Sequence, residues 1–111
     1  MQIGEQRIGE VTVLRPAGRI DNETSPAFQA KLLGAVGSAP SAVLIDLSGV
    51  EYMSSAGLRS LMMASKQSKA AKGRLGVAAL TPVVKEIFAI SRFSHVVAVF
   101  DTPDAALQAW K

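Results

Sequence analysis

"VLIDLSGVEYMSSAGLRSLM", residues 43–62, sets the plan of the chain. With Ala42 before it, Val43 to Leu47 is a short and nearly continuous apolar run. Such a run suits a central strand covered on its faces. "SGVEYMSS" follows as a loop at the carboxyl end of that strand. Leu58, Leu61, Met62 and Ser65 then recur at intervals of three and four, the period of an amphipathic helix. The start of that helix differs from the others the sequence predicts. Ser25-Pro26, Thr81-Pro82 and Thr102-Pro103 each pair a hydroxyl able to cap the first turn with a proline that supplies the first helical φ. Here two adjacent hydroxyls, Ser54 and Ser55, precede Ala56 and Gly57, and no proline fills the helix mouth.

Upstream, "IGEQRIGEVTVLRPAG" reads as two strands turning near Gly9. Val11, Val13 and the stem of Arg15 alternate with Thr12 and Leu14. "GRIDNETS" is expected to be a loop, followed by a helix burying Phe28, Leu32 and Leu33 and stopped by Gly37 and Pro40. Downstream, Gly73 is expected to end the central helix, whose outer side carries Lys66, Lys69 and Lys72. "RLGVAAL" is a strand and "TPVVKEIFAIS" a helix burying Val84, Ile87 and Phe88. "HVVAVF" is the last strand, and "TPDAALQAW" a short helix that docks Leu107 and Trp110. The expected order is β-β-α-β-α-β-α-β-α, a single α/β domain over residues 1–111. Alternation implies parallel strands joined by helical crossovers, with ligands and partners gathering at the carboxyl ends of strands. "GRIDNETS" and "SGVEYMSS" are both loops of that kind, so Gly18 to Asn22 are expected beside Ser54 and Ser55.

Composition narrows the function. The 111 residues contain no cysteine, which excludes disulfides and cysteine-bound metals, and cytoplasm is the expected compartment. No apolar run approaches the roughly 20 residues needed to span a bilayer, so no membrane insertion is expected. The net charge of +3 is modest, and the densest basic cluster, Lys66, Lys69, Lys72 and Arg74, reads as a solvated helix face. Tyr52 is the one aromatic near it, too little for a base-stacking platform, so nucleic acid is not an expected partner. His95 is the only histidine. It rules out multi-histidine metal sites and leaves one possible base for a serine nucleophile. Neither GxxxxGK(S/T) nor GxGxxG occurs. Asp21 and Asp46 fall at strand exits, where a carboxylate caps turn N–H groups more readily than it does acid–base work. No catalytic centre is assembled, and no cofactor is expected.

The open helix mouth remains. The first N–H groups of a helix lack intrahelical partners and carry partial positive charge. A serine oxygen satisfies one of them, whereas a phosphate satisfies several and adds about −1.5 to −2 charges. The plainer alternative is that Ser54 or Ser55 caps the helix and Gly57 permits close packing.

The quoted stretch resembles the signature of the STAS domain, in particular of the bacterial anti-sigma factor antagonists. "GRIDNETSPAFQAKL" is similar to that family's early loop and first helix. "TPVVKEIFAISRFSHVVAVFDTPDAALQAW" is similar to its final helix, strand and helix. The resemblance implies a small mixed sheet of about five strands, with about four helices packed largely on one face. It also implies partner switching. The unphosphorylated antagonist binds an anti-sigma factor, itself a serine kinase of the ATPase-fold type, and releases the target. Phosphorylation by that kinase, with ATP held by the kinase, ends the binding, and a serine phosphatase resets the cycle.

Family members typically read Asp-Ser-Ser-Gly, with the serine before glycine accepting phosphate. Ala56 occupies that position here, and Ser54 replaces the aspartate. Ser55, nearest the helix end, is the expected acceptor and Ser54 the second choice. Asp21, Asn22, Ser54, Ser55, Ala56, Gly57 and Arg59 are the expected docking residues, with Asp46 orienting the acceptor. Met53, Leu58 and Met62 are expected to pack in the core and at its rim rather than to form a separate ligand site. Two alternatives stand beside this: an unphosphorylated STAS accessory subunit of a lipid-type transporter, and a serine hydrolase using Ser55 and His95.

Overall fold

The computed structural model describes residues 1–38 and 42–111. The predicted hairpin is β1 (Ile3–Ile8) and β2 (Val11–Pro16), antiparallel through Ile8↔Val11 and joined by Gly9-Glu10. Gly9 lies at φ +60, a conformation glycine enters without the Cβ penalty. "AVLID" is β4 (Ala42–Asp46), "RLGVA" is β6 (Arg74–Ala78), and the last strand is β7 (Ala98–Phe100). Two further strands were not expected: β3 (Gly18–Ile20) and β5 (Val50–Met53), inside the two segments read as loops. They pair in parallel as a separate two-stranded sheet.

The main sheet runs β1-β2-β4-β6-β7, parallel from β2 onward. Because the parallel strands advance in one direction, crossovers of a single hand bring their helices to the same face. Those helices are α1 (Ser25–Val36), α2 (Ser55–Ala70) and α3 (Pro82–Ser91). The two-residue period of the strands divides the sheet between two cores. Leu14, Val43, Ile45 and Val77 face Phe28, Leu32, Leu61, Val84 and Phe88. Val11, Val13, Leu44 and Ala78 face α4 (Pro103–Ala109) through Ala106, with Leu107 and Trp110 packed alongside. Three helices therefore share one face and the fourth covers the other. Trp110 meets Phe100 edge-on at 5.7 Å between ring centroids.

Several helix ends differ from the sequence expectation. Ser25 is the first residue of α1 rather than its cap. The preceding Thr24 turns its hydroxyl to the Arg19 carbonyl at 2.8 Å. Thr81 likewise caps nothing and donates to the Val50 carbonyl at 2.8 Å, tying α3 to β5. Only Thr102 caps as expected, accepting from the Ala105 N–H at 3.1 Å. Gly37 caps the end of α1, while Pro40 lies outside the described residues. At the end of α2 the positive φ falls on Lys72, not on Gly73, whose N–H bonds the Ser68 carbonyl. His95 sits exposed in a 3₁₀ turn, Phe93–His95, rather than at a strand entry.

Candidate partner-docking site

The pairing of β3 with β5 places the candidate residues together. Ile20 lies opposite Met53 in parallel register, so Asp21 and Ser54 leave the carboxyl ends of neighbouring strands side by side. The Ser54 N–H donates to the Ile20 carbonyl at 2.8 Å and fixes the start of α2 against the earlier loop. The expected proximity of Gly18–Asn22 to the two serines is thus present as a hydrogen-bonded junction.

Gly57 explains how close that junction is. It is buried in the first turn of α2, and a Cβ there would stand 2.6 Å from Met53 Cγ and 2.8 Å from Ile20 Cγ2. The glycine serves packing: any side chain would push the helix start off the β3–β5 pair. Further along α2, the buried Ser60 hydroxyl donates to the Ala56 carbonyl and to Gln29 Oε1, joining α2 to α1.

The two serines diverge. Ser54 is the N-cap residue, with extended backbone, yet its side chain makes no capping bond. Its Oγ is buried and has no hydrogen-bond partner among the described residues. Ser55, the first helical residue, is exposed. Neither hydroxyl caps α2, so the plainer alternative of a serine cap is not what forms, whereas its packing role for Gly57 is.

On the other side of the junction, Asp21 Oδ1 accepts the Glu23 N–H at 3.0 Å and the Thr24 N–H at 3.2 Å. The Asp21 N–H in turn donates to Thr24 Oγ1 at 2.9 Å. The bonds to its carboxylate, the Thr24 N–H foremost and then the Glu23 N–H and the Thr24 hydroxyl, hold Asp21 below its ordinary pKa, with a smaller pull from Arg19. Asn22 is exposed at the tip of the loop. Arg19 lies 4.4 Å above the Tyr52 ring, a cation–π contact that stiffens the outer face of β3 and β5.

Beside Ser55 a groove of about 320 Å³ is lined by Ser55, Leu58, Arg59, Met62, Ser91 and Phe93. Arg59 stands one helical turn from Ser55, exposed, and forms no ion pair among the described residues. Met53 is buried in the core, while Met62, 40% exposed, lines this groove at the rim. Nearby in sequence, Ile90 of α3 is 77% exposed. His95 does not line the groove.

Asp46 requires a correction. Along β4 it shares the parity of Leu44 and therefore faces the α4 side of the sheet, away from α2. Its carboxylate accepts the Ser48 N–H at 3.0 Å and pairs with Arg15 Nε at 3.5 Å. It shapes the β4–β5 turn rather than touching either serine. The signals that sequence reasoning missed were Arg19, Tyr52, Ser91 and Phe93. The first two come together only through the β3–β5 register, and the others only where α3 ends against α2. The basic cluster Lys66, Lys69, Lys72 and Arg74 is exposed throughout, as a solvated face should be. No helix among the described residues is long and apolar enough to cross a membrane.

Comparison with known proteins agrees with this geometry. Residues 3–99 match the family model described as "Mlab, STAS domain". A candidate anti-sigma factor antagonist, BtrV of Bordetella bronchiseptica, is 30% identical over 111 residues, covering 100% of this chain and 96% of BtrV. The crystal structure of an anti-sigma factor antagonist from Mycobacterium paratuberculosis matches with TM-score 0.88 and 29% identity, over 97% of this chain and 92% of that one. SpoIIAA of Bacillus in its phosphorylated form shares the fold, with TM-score 0.74 and 17% identity over 99% of this chain and 100% of its own. The chain belongs to the STAS-domain family of anti-sigma factor antagonists.

Proposed function

We propose that this protein is the phosphorylation-controlled member of a partner switch in the cytoplasm. Unmodified, it binds an anti-sigma factor that is also a serine kinase of the ATPase-fold type. Phosphorylation of Ser55 by that kinase, using the kinase's own ATP, ends the binding, and a serine phosphatase restores it. The protein itself works as a binding module with no catalytic step and no cofactor.

The observation that carries this is the divergence of the two serines at an uncapped helix start. The Ser55 side chain is exposed at the rim of the groove, while Ser54 Oγ is buried. A kinase must reach the hydroxyl oxygen, which favours Ser55 over Ser54. A phosphate there would sit where helix N–H groups and the dipole attract it, with Arg59 one turn away to pair with it. The same charge would fall on the rim of a mainly apolar groove, where desolvating it during docking is costly. The docking surface would comprise the Asp21–Asn22 loop, Ser54 to Gly57, and Arg59, with Met62 as an apolar contact. Relatives named as antagonists favour this over an accessory subunit of a lipid-type transporter.

Incubation with the cognate kinase and ATP, followed by phosphosite mapping, tests the assignment. Modification of Ser55, absent in Ser55→Ala, is expected. Phosphate confined to any other residue overturns it.

A further inference from the structure

The outer strand β1 carries a second surface unrelated to the serines. Among the described residues β1 pairs with β2 alone, in a register of six consecutive pairs without a bulge. The Ala17 N–H donates to the Gln2 carbonyl at 3.1 Å. In the same register the even-numbered positions of β1, down to the Ile8–Val11 pair beside the two-residue Gly9-Glu10 turn, are the hydrogen-bonded ones. Alternation along the antiparallel ladder then directs the backbone groups of Gly4 and Gln6 to β2, and those of Ile3, Glu5 and Arg7 outward. Open edges are commonly guarded by proline, by a bulge, by a covering element or by charge. This strand has no proline, and the α1 residues bordering it include the short Ala30 and Gly34, around a cleft of about 240 Å³. A Cβ on Gly34 would meet nothing within 4 Å, so no contact among the described residues requires a glycine there. Charge is the remaining guard, and its pattern is selective.

We propose that β1 pairs antiparallel with β1 of a second copy of this chain, centred on Gln6. Outward-facing groups meet only when the two-fold axis passes through a residue. Centring on Glu5 would oppose Glu5 to itself, and centring on Arg7 would oppose Arg7 to itself. Centring on Gln6 sets Glu5 against Arg7 of the second copy, twice by symmetry, and each such pair exchanges both backbone hydrogen bonds. Glu5 and Arg7 lie on the α1 face, where Glu5 Oε1 already meets Lys31 Nζ at 2.7 Å. The pairing extends that ion pair into an alternating row, Lys31, Glu5 and Arg7 of the second copy. None of these residues lines the groove beside Ser55, so the dimer and the switch are separable.

Sedimentation across a wide concentration range tests this on the intact protein. A concentration-dependent dimer is expected, with Glu5 and Arg7 amides protected from hydrogen exchange only where it forms. Arg7→Glu opposes like charges at both pairs and should weaken the dimer about tenfold or more. Combining Arg7→Glu with Glu5→Lys and Lys31→Glu inverts every charge in the row and should restore it. A wild type that stays monomeric at millimolar concentration overturns the proposal. So does a dimer indifferent to Arg7→Glu, or one that the triple substitution fails to recover.

Discussion

Glycine-to-alanine substitution should have opposite signs at two helical positions of this protein. Gly57 lies in the first turn of α2, and its added methyl would come within 2.6 Å of Met53 Cγ and 2.8 Å of Ile20 Cγ2. Neither atom is the loose end of an exposed chain: Met53 is 1% and Ile20 0% exposed, and both belong to strands beneath the helix. Relief therefore requires α2 to lift from the β3–β5 pair. Overpacking of this kind costs about 1–3 kcal/mol. Alanine's better helix propensity returns at most about 1 kcal/mol. A net loss of about 1–2 kcal/mol should lower Tm by roughly 5–10 °C in a domain of this size. Gly34 lies in the last turn of α1, exposed, with open space around the missing Cβ among the described residues. There only propensity acts, and because the position is in the last turn alanine should stabilise by about 0.5 kcal/mol, the low end of the interior range. Urea unfolding of both variants, at concentrations too low for association, measures the difference. If Gly57→Ala proves as stable as wild type, the close junction between α2 and Ile20 does not exist as described.

Arg59→Ala should weaken binding of the unphosphorylated protein to the proposed kinase partner about tenfold, as truncation of a well-packed interface arginine does. It should leave unfolding free energy within about 0.5 kcal/mol, and a titration calorimeter and a urea curve separate the two effects. Asp21 supplies a pH signature. Its folded pKa lies below that of an ordinary aspartate, so its contribution to stability is complete above the unfolded value. That contribution disappears as pH falls through the lower, folded value. Asp21→Asn should therefore flatten the acid limb of the stability curve below about pH 4, and an unchanged limb would refute the loop's hydrogen-bond scheme. Ser55→Asp should reduce kinase binding whereas Ser55→Ala retains it, because only the former places charge at the docking surface.

The main architecture was legible because periodicity reports burial. The continuous run at β4, the alternation in β2 and the three-and-four spacing of α2 each state how many faces are covered. β3 and β5 escaped because three and four residues are too few to display a period, and their hydrogen bonds run to each other across the chain. That omission mattered most, since their register is what joins the Asp21 loop to Ser54. Threonine hydroxyls misled for a related reason. Thr24 and Thr81 sit where caps are expected, but tertiary carbonyls at Arg19 and Val50 compete successfully for them. The facing of Asp46 could have been derived by counting parity from Leu44. The exposure of Met62 could not, because an amphipathic stripe does not say where the neighbouring helix ends.

Affinity of the proposed kinase partner for two homogeneous preparations, one bare and one phosphorylated on Ser55 alone, tests the proposed switch most directly. The bare protein should bind, and the phosphorylated protein should bind at least about a hundredfold more weakly, a difference of about 2.7 kcal/mol. Equal dissociation constants for the two would contradict it.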